Sequence, residues 1–229
     1  MYRKFGKRML DILLSLLGLI LLLPLLLTLT VTGTAALGGN PFFVQLRPGR
    51  KETLFRMIKF RSMTEKRSTD GQLLPDGLRL TAYGRFLRKT SLDELPELWN
   101  VLTGDMSLVG PRPQLVRDLV FMTPRQRRRH SVRPGITGLA QISGRNGISW
   151  EEKLTFDLQY VETITFASDV VILLKTVRQV LLRTGISAEG MDTAEDLGDW
   201  LLRSGQLNTS EYERKQSLAK EMLGKGQQT

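Results

Sequence analysis

The chain has 229 residues, 41% of them hydrophobic and 24% charged, which suits one folded domain with an appendage and excludes a collagen, a coiled coil and a wholly disordered chain. It holds no cysteine and a single histidine, His130, embedded in an arginine run. That excludes a disulfide framework and a thiolate zinc site, and leaves a Ser-His-Asp hydrolase little to work with. The formal charge of +10 is unevenly spread: residues 1–37 carry +3, residues 38–145 carry +11 and residues 146–229 carry −4. The middle of the chain should therefore attract a polyanion, whether nucleic acid, anionic lipid or a phosphorylated substrate.

Ile12 to Leu37 is a run of 26 residues without a charge, long enough to enter a bilayer. A cleaved signal peptide is the bland alternative, but the run is too long and Asp11 is an odd residue to open it. Pro24 splits the run into Ile12–Leu23 and Pro24–Leu37, because proline lacks the helical donor and its ring clashes with the preceding turn. The halves reach roughly 18 and 21 Å, each short of a hydrocarbon core of roughly 30 Å. Arg3, Lys4, Lys7 and Arg8 precede the run, and Arg47, Arg50 and Lys51 follow it. The positive-inside bias would hold both ends on one side, as a re-entrant helix broken at Pro24 requires. The competing reading is a kinked single span.

Phe42–Leu46, a Pro48-Gly49 turn and Leu54–Ser62 read as a β-hairpin, with Lys59 and Arg61 on one face of the second strand. Residues 64–79 read as a loop. Helix starts are marked by Ser91 with Glu94, Thr123 with Gln126, Ser149 with Glu152, and Ser210 with Glu213, and Ser168-Asp169 opens another helix. The expected fold is α+β and mostly helical: a membrane segment over 1–37, a catalytic domain over 38–187, and a peripheral tail with one short helix over 188–229.

Asp93-Glu94 falls in a first helical turn, where acids are favoured by the macrodipole alone. The company of Lys59, Arg61, Arg85, Arg88, Lys89, Arg112 and Arg145 suggests more. Two adjacent carboxylates amid cations suit a phosphate with Mg2+, and an ionised Asp93 could attack phosphorus. Arg125, Arg127, Arg128, Arg129 and Arg133 carry no interleaved aromatics, so anionic phospholipid headgroups fit them better than nucleic acid. No phosphate-binding loop or dinucleotide fingerprint occurs.

Four blocks run in one order: Lys59-Phe60-Arg61-Ser62-Met63, Ser91-Leu92-Asp93-Glu94-Leu95-Pro96, Gly104 through Pro113, and Arg133 through Gln141. Over residues 1–190 the chain resembles the bacterial monotopic phosphoglycosyl transferases, most of all their small PglC-type members. The resemblance implies transfer of a sugar-1-phosphate from a UDP-sugar to a polyprenyl phosphate at the cytoplasmic face of the bacterial cytoplasmic membrane, with release of UMP. It implies Asp93 as a covalent nucleophile and Glu94 as a magnesium partner. It adds Lys59, Arg88, Arg112, Arg145 and Asp169 as substrate-binding positions and strengthens the re-entrant reading of Pro24. A homo-oligomer and downstream glycosyltransferases are further partners it leaves open. Glu97 stands where the family often has glutamine, and Leu23 where serine often precedes the proline. The rival readings are a non-catalytic membrane adaptor with a basic face and a sugar transferase without a covalent intermediate.

Overall fold

In a computed structural model, which describes residues 1–144, 147–182 and 195–227, a π-helical turn at Tyr2–Gly6 runs into helix α1, Lys7–Leu21, and then α2, Leu23–Leu37. The two arms are bent by 62° at Leu22. Pro24 lies in the first turn of α2, where its missing N–H is no loss, so the break falls just before it. Among the described residues no single helix is long and apolar enough to cross a membrane, though the bent pair passes that test together. Leu13, Leu16, Leu17, Ile20, Leu21, Leu23, Leu27 and Val31 are exposed along the arms. The hydroxyls of Thr28, Thr30, Thr32 and Thr34 each donate to the carbonyl four residues earlier, at 2.8–2.9 Å, which hides them from apolar surroundings.

Both arms are fastened to the same body. Asp11 is buried and accepts from Ser107 Oγ and Leu108 N, each at 3.0 Å, which accounts for an acid at the mouth of an apolar run. From α2, Leu29 packs with Phe60 and Leu87, and its carbonyl accepts from Tyr83 OH at 2.7 Å.

Strands β1, Phe42–Pro48, and β2, Leu54–Phe60, form the expected antiparallel hairpin. Its register pairs Phe43 with Lys59, Gln45 with Met57 and Arg47 with Phe55, so these six share one face. The loop after it holds one short helix, α3, Asp76–Arg79. Then come α4, Ala82–Thr90, and α5, Glu97–Thr103. Asn100 of α5 is buried, accepts from Ile58 N at 3.1 Å and donates to the Arg56 carbonyl at 2.8 Å, locking α5 along β2.

A second pairing was not foreseen. Strand β3, Ser107–Val109, lies parallel to β4, Gly135–Thr137. Between them sit α6, Val116–Leu119, and α7, Pro124–Arg127. Three-residue strands carry too little alternation to be read from sequence. What the pairing needs is glycine: a Cβ on Gly135 would meet Gly110 N at 2.1 Å. Next are α8, Leu139–Gly144, α9, Trp150–Glu162, and α10, Phe166–Leu182. The capping boxes expected at Thr123 and Ser149 are both formed. Thr165 rather than Ser168 caps α10, by accepting from Ser168 N at 3.1 Å.

Where a peripheral tail with one short helix was expected, residues 195–227 form α11, Leu197–Arg203, and α12, Thr209–Gln227, and they are packed in. Leu197 joins Leu119, Phe121, Met122, Trp150 and Leu154 in a core of its own. Asp118 receives Leu197 N at 3.0 Å, and Trp150 Nε1 donates to the Glu195 carbonyl at 3.0 Å. Asn208, not Ser210, caps α12, accepting from Glu211 N at 2.8 Å. The acidic, Gly- and Ser-containing composition hid a scattered set of apolar residues that meet only in three dimensions. The main core, Phe55, Met57, Val101, Met106, Leu108, Val109, Tyr160 and Ile172, lies under the face of the hairpin that bears Lys59.

Candidate active site

Ser91 does not cap a helix. It ends α4 in the left-handed region, at φ 56°, and makes no side-chain cap bond. Asp93 and Glu94 lie in the short 3-10 turn Leu92–Glu94 that follows, so the expected capping box and helix N-terminus are replaced by a tight corner between α4 and α5. A non-glycine residue held at positive φ marks a place where the surroundings over-determine the backbone. Here they are Leu92 and Leu95, which pack against the Leu29–Phe60–Leu87 cluster.

The corner sets the two carboxylates in different states. Glu94 Oε1 accepts from Lys59 Nζ at 2.9 Å and from the Arg112 guanidinium. Burial works against the charge of Glu94, but Arg112 and Lys59 outweigh it and hold the carboxyl below its usual range. Asp93 accepts no hydrogen bond among the described residues. Burial first, then the charge of Glu94, raises its pKa against the pull of Lys59, Arg112 and Arg88. The cations are thus outweighed at Asp93 and prevail at Glu94. A more basic carboxylate, once ionised, is a better nucleophile. Burial also opposes the charge of Lys59, and Glu94 with Glu97 more than restores it.

Arg88 Nε donates to Ser62 Oγ at 3.0 Å. Close contact of backbones makes this reach possible, since a Cβ on Gly84 would lie 1.8 Å from the Ser62 carbonyl oxygen. Glu97, one turn beyond Asp93, is 1% exposed and sits 3.1 Å from Lys59 Nζ. Burial pushes it up to about 7, with Lys59 and Arg112 opposing and Glu94 adding.

The dyad, Lys59, Arg88 and Arg112 thus come together as read. Arg61 does not join them; it lies past the end of β2 and pairs with Glu65 at 2.9 Å. Asp169 is engaged elsewhere: it is buried, and takes Tyr2 OH at 2.6 Å, Lys7 Nζ at 2.7 Å and Tyr160 OH at 2.8 Å, tying the chain start to α9 and α10. Arg145 lies outside the described residues. Four of the five arginines of the run make contacts within the protein, and of these only Arg129 is buried. Arg127 forks onto Glu52, Arg128 meets Glu162 at 3.3 Å, and Arg133 Nε donates to the Gly104 carbonyl at 2.7 Å. Arg129 is buried against Asp157 at 2.7 Å and donates to the Arg112 carbonyl at 2.6 Å.

Two residues near the site were missed. Arg47 and Gln114 line a pocket of about 60 Å³ with Met57, Lys59, Glu97 and Arg112. Arg47 had been read only as a flanking charge, although the period of two from Phe43 in β1 puts it on the face of Lys59. Gln114 carried no signal.

Among the described residues no three His, Asp or Glu side chains are placed so that together they could hold a metal ion. Two carboxylates do meet here, and among the described residues the hydrogen bonds of Glu94 are confined to Oε1 and both oxygens of Asp93 are without one. That donor set fits a magnesium ion, which takes one or two carboxylates and completes its shell with phosphate and water.

The sequence model of the family described as bacterial sugar transferase matches residues 2–183. The uncharacterized sugar transferase EpsL of Bacillus subtilis is 54% identical over 159 residues, 69% of this chain and 79% of EpsL. The undecaprenyl-phosphate galactose phosphotransferase of Salmonella typhimurium is 40% identical over 200 residues, 80% of this chain and 42% of that protein. The UDP-glucose:undecaprenyl-phosphate glucose-1-phosphate transferase of Klebsiella pneumoniae is 40% identical over 186 residues, 75% of this chain and 39% of that protein. The chain thus spans less than half the length of the last two relatives, and the part matched by the family model contains the dyad with Lys59, Arg88 and Arg112. With four-fifths of its length matched, from the first arm of the bent helix through α10, the chain belongs to the bacterial sugar transferase family.

Proposed function

We propose that the protein transfers a sugar-1-phosphate from a UDP-sugar to a polyprenyl phosphate through a covalent intermediate on Asp93. The observation that carries this reading is the contrast within the dyad: Glu94 is bound by two cations, while Asp93 beside it accepts no hydrogen bond from the described residues and is more basic than an ordinary aspartate. The Asp93 carboxylate attacks the β-phosphorus, the bond from that phosphorus to the bridging oxygen breaks, and UMP leaves. A phosphate oxygen of the lipid then attacks the same phosphorus, displaces Asp93 and gives a polyprenyl diphosphate sugar. Lys59, Arg88 and Arg112 reduce the repulsion between a carboxylate and an anionic diphosphate. Glu94 and Asp93 would hold a magnesium ion, which when bound would add charge neutralisation on the diphosphate. The names of the Salmonella and Klebsiella relatives, which describe transfer onto undecaprenyl phosphate, support the acceptor.

The test is UMP release by the full chain in membranes, with undecaprenyl phosphate and a panel of UDP-sugars, with and without EDTA. Release from at least one sugar, lost with EDTA and restored by Mg2+, is the expected result. No release from any sugar favours the adaptor reading, and release indifferent to EDTA removes the metal.

The bent pair α1–α2 serves, in this reading, as a re-entrant anchor entering one leaflet of the bacterial cytoplasmic membrane from its cytoplasmic face. Support comes from the 62° bend, the exposed leucines and the attachment of both arms to one body. Lys4→Cys and Arg50→Cys, each the sole thiol of its variant, should both resist a membrane-impermeant reagent in intact cells. Labelling of either from outside rules out the re-entrant arrangement.

A further inference from the structure

Arg47, Glu97 and Gln114 have hydrogen-bonding capacity that the transfer chemistry leaves unused. All three line the pocket of about 60 Å³ beside Lys59 and Arg112. Among the described residues, two buried polar atoms there have no hydrogen-bond partner: Arg47 Nε, a donor, and Glu97 Oε1, an acceptor. Glu97 Oε1 lies 3.1 Å from Lys59 Nζ, so its charge is paired there while the rest of its acceptor capacity is open. The terminal nitrogens of Arg47 donate to the Gln45 amide oxygen at 2.7 Å and the Pro113 carbonyl at 3.4 Å. Gln114, whose amide both donates and accepts, makes no hydrogen bond among the described residues.

A buried donor and acceptor left open are costly, and the cost is recovered where a ligand completes them. Lys59 and Arg112, which also line the pocket, are already paired with Glu94, so a phosphate there would answer Arg47 and leave the Glu97 acceptor open, while a metal cation would meet three positive side chains. A hydroxyl both donates and accepts, so hydroxyls can answer both groups at once. The pocket holds about two waters' worth of volume, which suits the hydroxyl edge of a ring rather than a whole sugar. Lys59 lies between the pocket and the dyad, 2.9 Å from Glu94 and 3.1 Å from Glu97.

We propose that this pocket is the sugar-recognition subsite, with Glu97 accepting from, and Arg47 and Gln114 bonding to, hydroxyls of the hexose on the UDP-sugar. The proposal rests on the transferase reading above and adds to it which residues choose the sugar. A site built to hydrogen-bond a hydroxyl discriminates strongly against a sugar that places it differently.

The experiment uses the full chain in membranes, wild type, Glu97→Gln and Gln114→Ala, with UDP-glucose, UDP-galactose, UDP-N-acetylglucosamine and UDP-N-acetylgalactosamine. It reads kcat/KM for UMP release, and separately the thermal stabilisation by each UDP-sugar relative to UDP. The ratio of kcat/KM between the best and second-best sugar should shift by about tenfold or more in both variants, and the order of thermal stabilisation should shift with it. A uniform fall for all four sugars overturns the subsite, because Glu97 would then be acting through Lys59 on the dyad. Unchanged ratios overturn it as well. If the wild type releases no UMP but Glu97→Gln still reorders the thermal shifts, the subsite stands and the transferase reading falls. If the shifts are also indifferent to the sugar, both fall.

Discussion

Asp93→Asn should reduce turnover by on the order of 10³-fold or more, because it removes the attacking oxygen's charge while keeping the shape of the side chain. The fold should survive. Asp93 accepts no hydrogen bond among the described residues, and burial already disfavours its charge, so the unfolding midpoint should stay the same or rise slightly. With UDP-sugar and no lipid acceptor, the wild type should release one UMP per enzyme in a burst and gain the mass of one sugar-phosphate. Asp93→Asn should show neither the burst nor the added mass. A variant that turns over at the wild-type rate would end the covalent mechanism, and direct attack of the lipid phosphate on the UDP-sugar would become the better reading.

The largest loss of stability should come from Arg129, not from the dyad. Arg129 is 2% exposed, pairs with the equally buried Asp157 through Nε at 2.9 Å and a terminal nitrogen at 2.7 Å, and donates to the Arg112 carbonyl. Removing one partner of such a pair leaves an uncompensated buried charge, at a cost of about 3–5 kcal/mol. Arg129→Met should therefore lower the stability read from denaturant unfolding by about that amount, and Asp157→Leu in the same chain should recover most of it. A single variant within about 1 kcal/mol of wild type would show that Asp157 finds another partner or takes up a proton at little cost. Activity should fall in step, since the Arg112 carbonyl loses the guanidinium beneath it.

Several parts of this architecture follow from residues read one stretch at a time. Pro24 within an uncharged run sets the break between α1 and α2, since a missing donor and a ring clash act within one turn. The hairpin and its face follow from alternation, and the boxes at Thr123 and Ser149 from groups three residues apart. Lys59, Asp93-Glu94 and Arg112 were legible from three of the ordered blocks and Arg88 from its place just before the turn, and all five meet at one corner.

What only the tertiary structure decided is which charge answers which. Ser91 looks locally like a cap, yet packing of Leu92 and Leu95 under α2 turns it into a left-handed corner. Asp169 looks like a helix-start acid or a ligand, yet Tyr2 and Lys7 reach it from more than 160 residues away. Arg129 looks like part of a surface run, and Asp157, 28 residues on, draws it inside. Glu97, one turn from the nucleophile, has no local feature that separates a solvent-facing acid from a buried one; its burial is set by α5 docking on β2 through Asn100. Local rules act over three or four residues through backbone geometry, whereas the state of a carboxylate depends on the dielectric and the cations around it, and those are assembled only when distant segments pack.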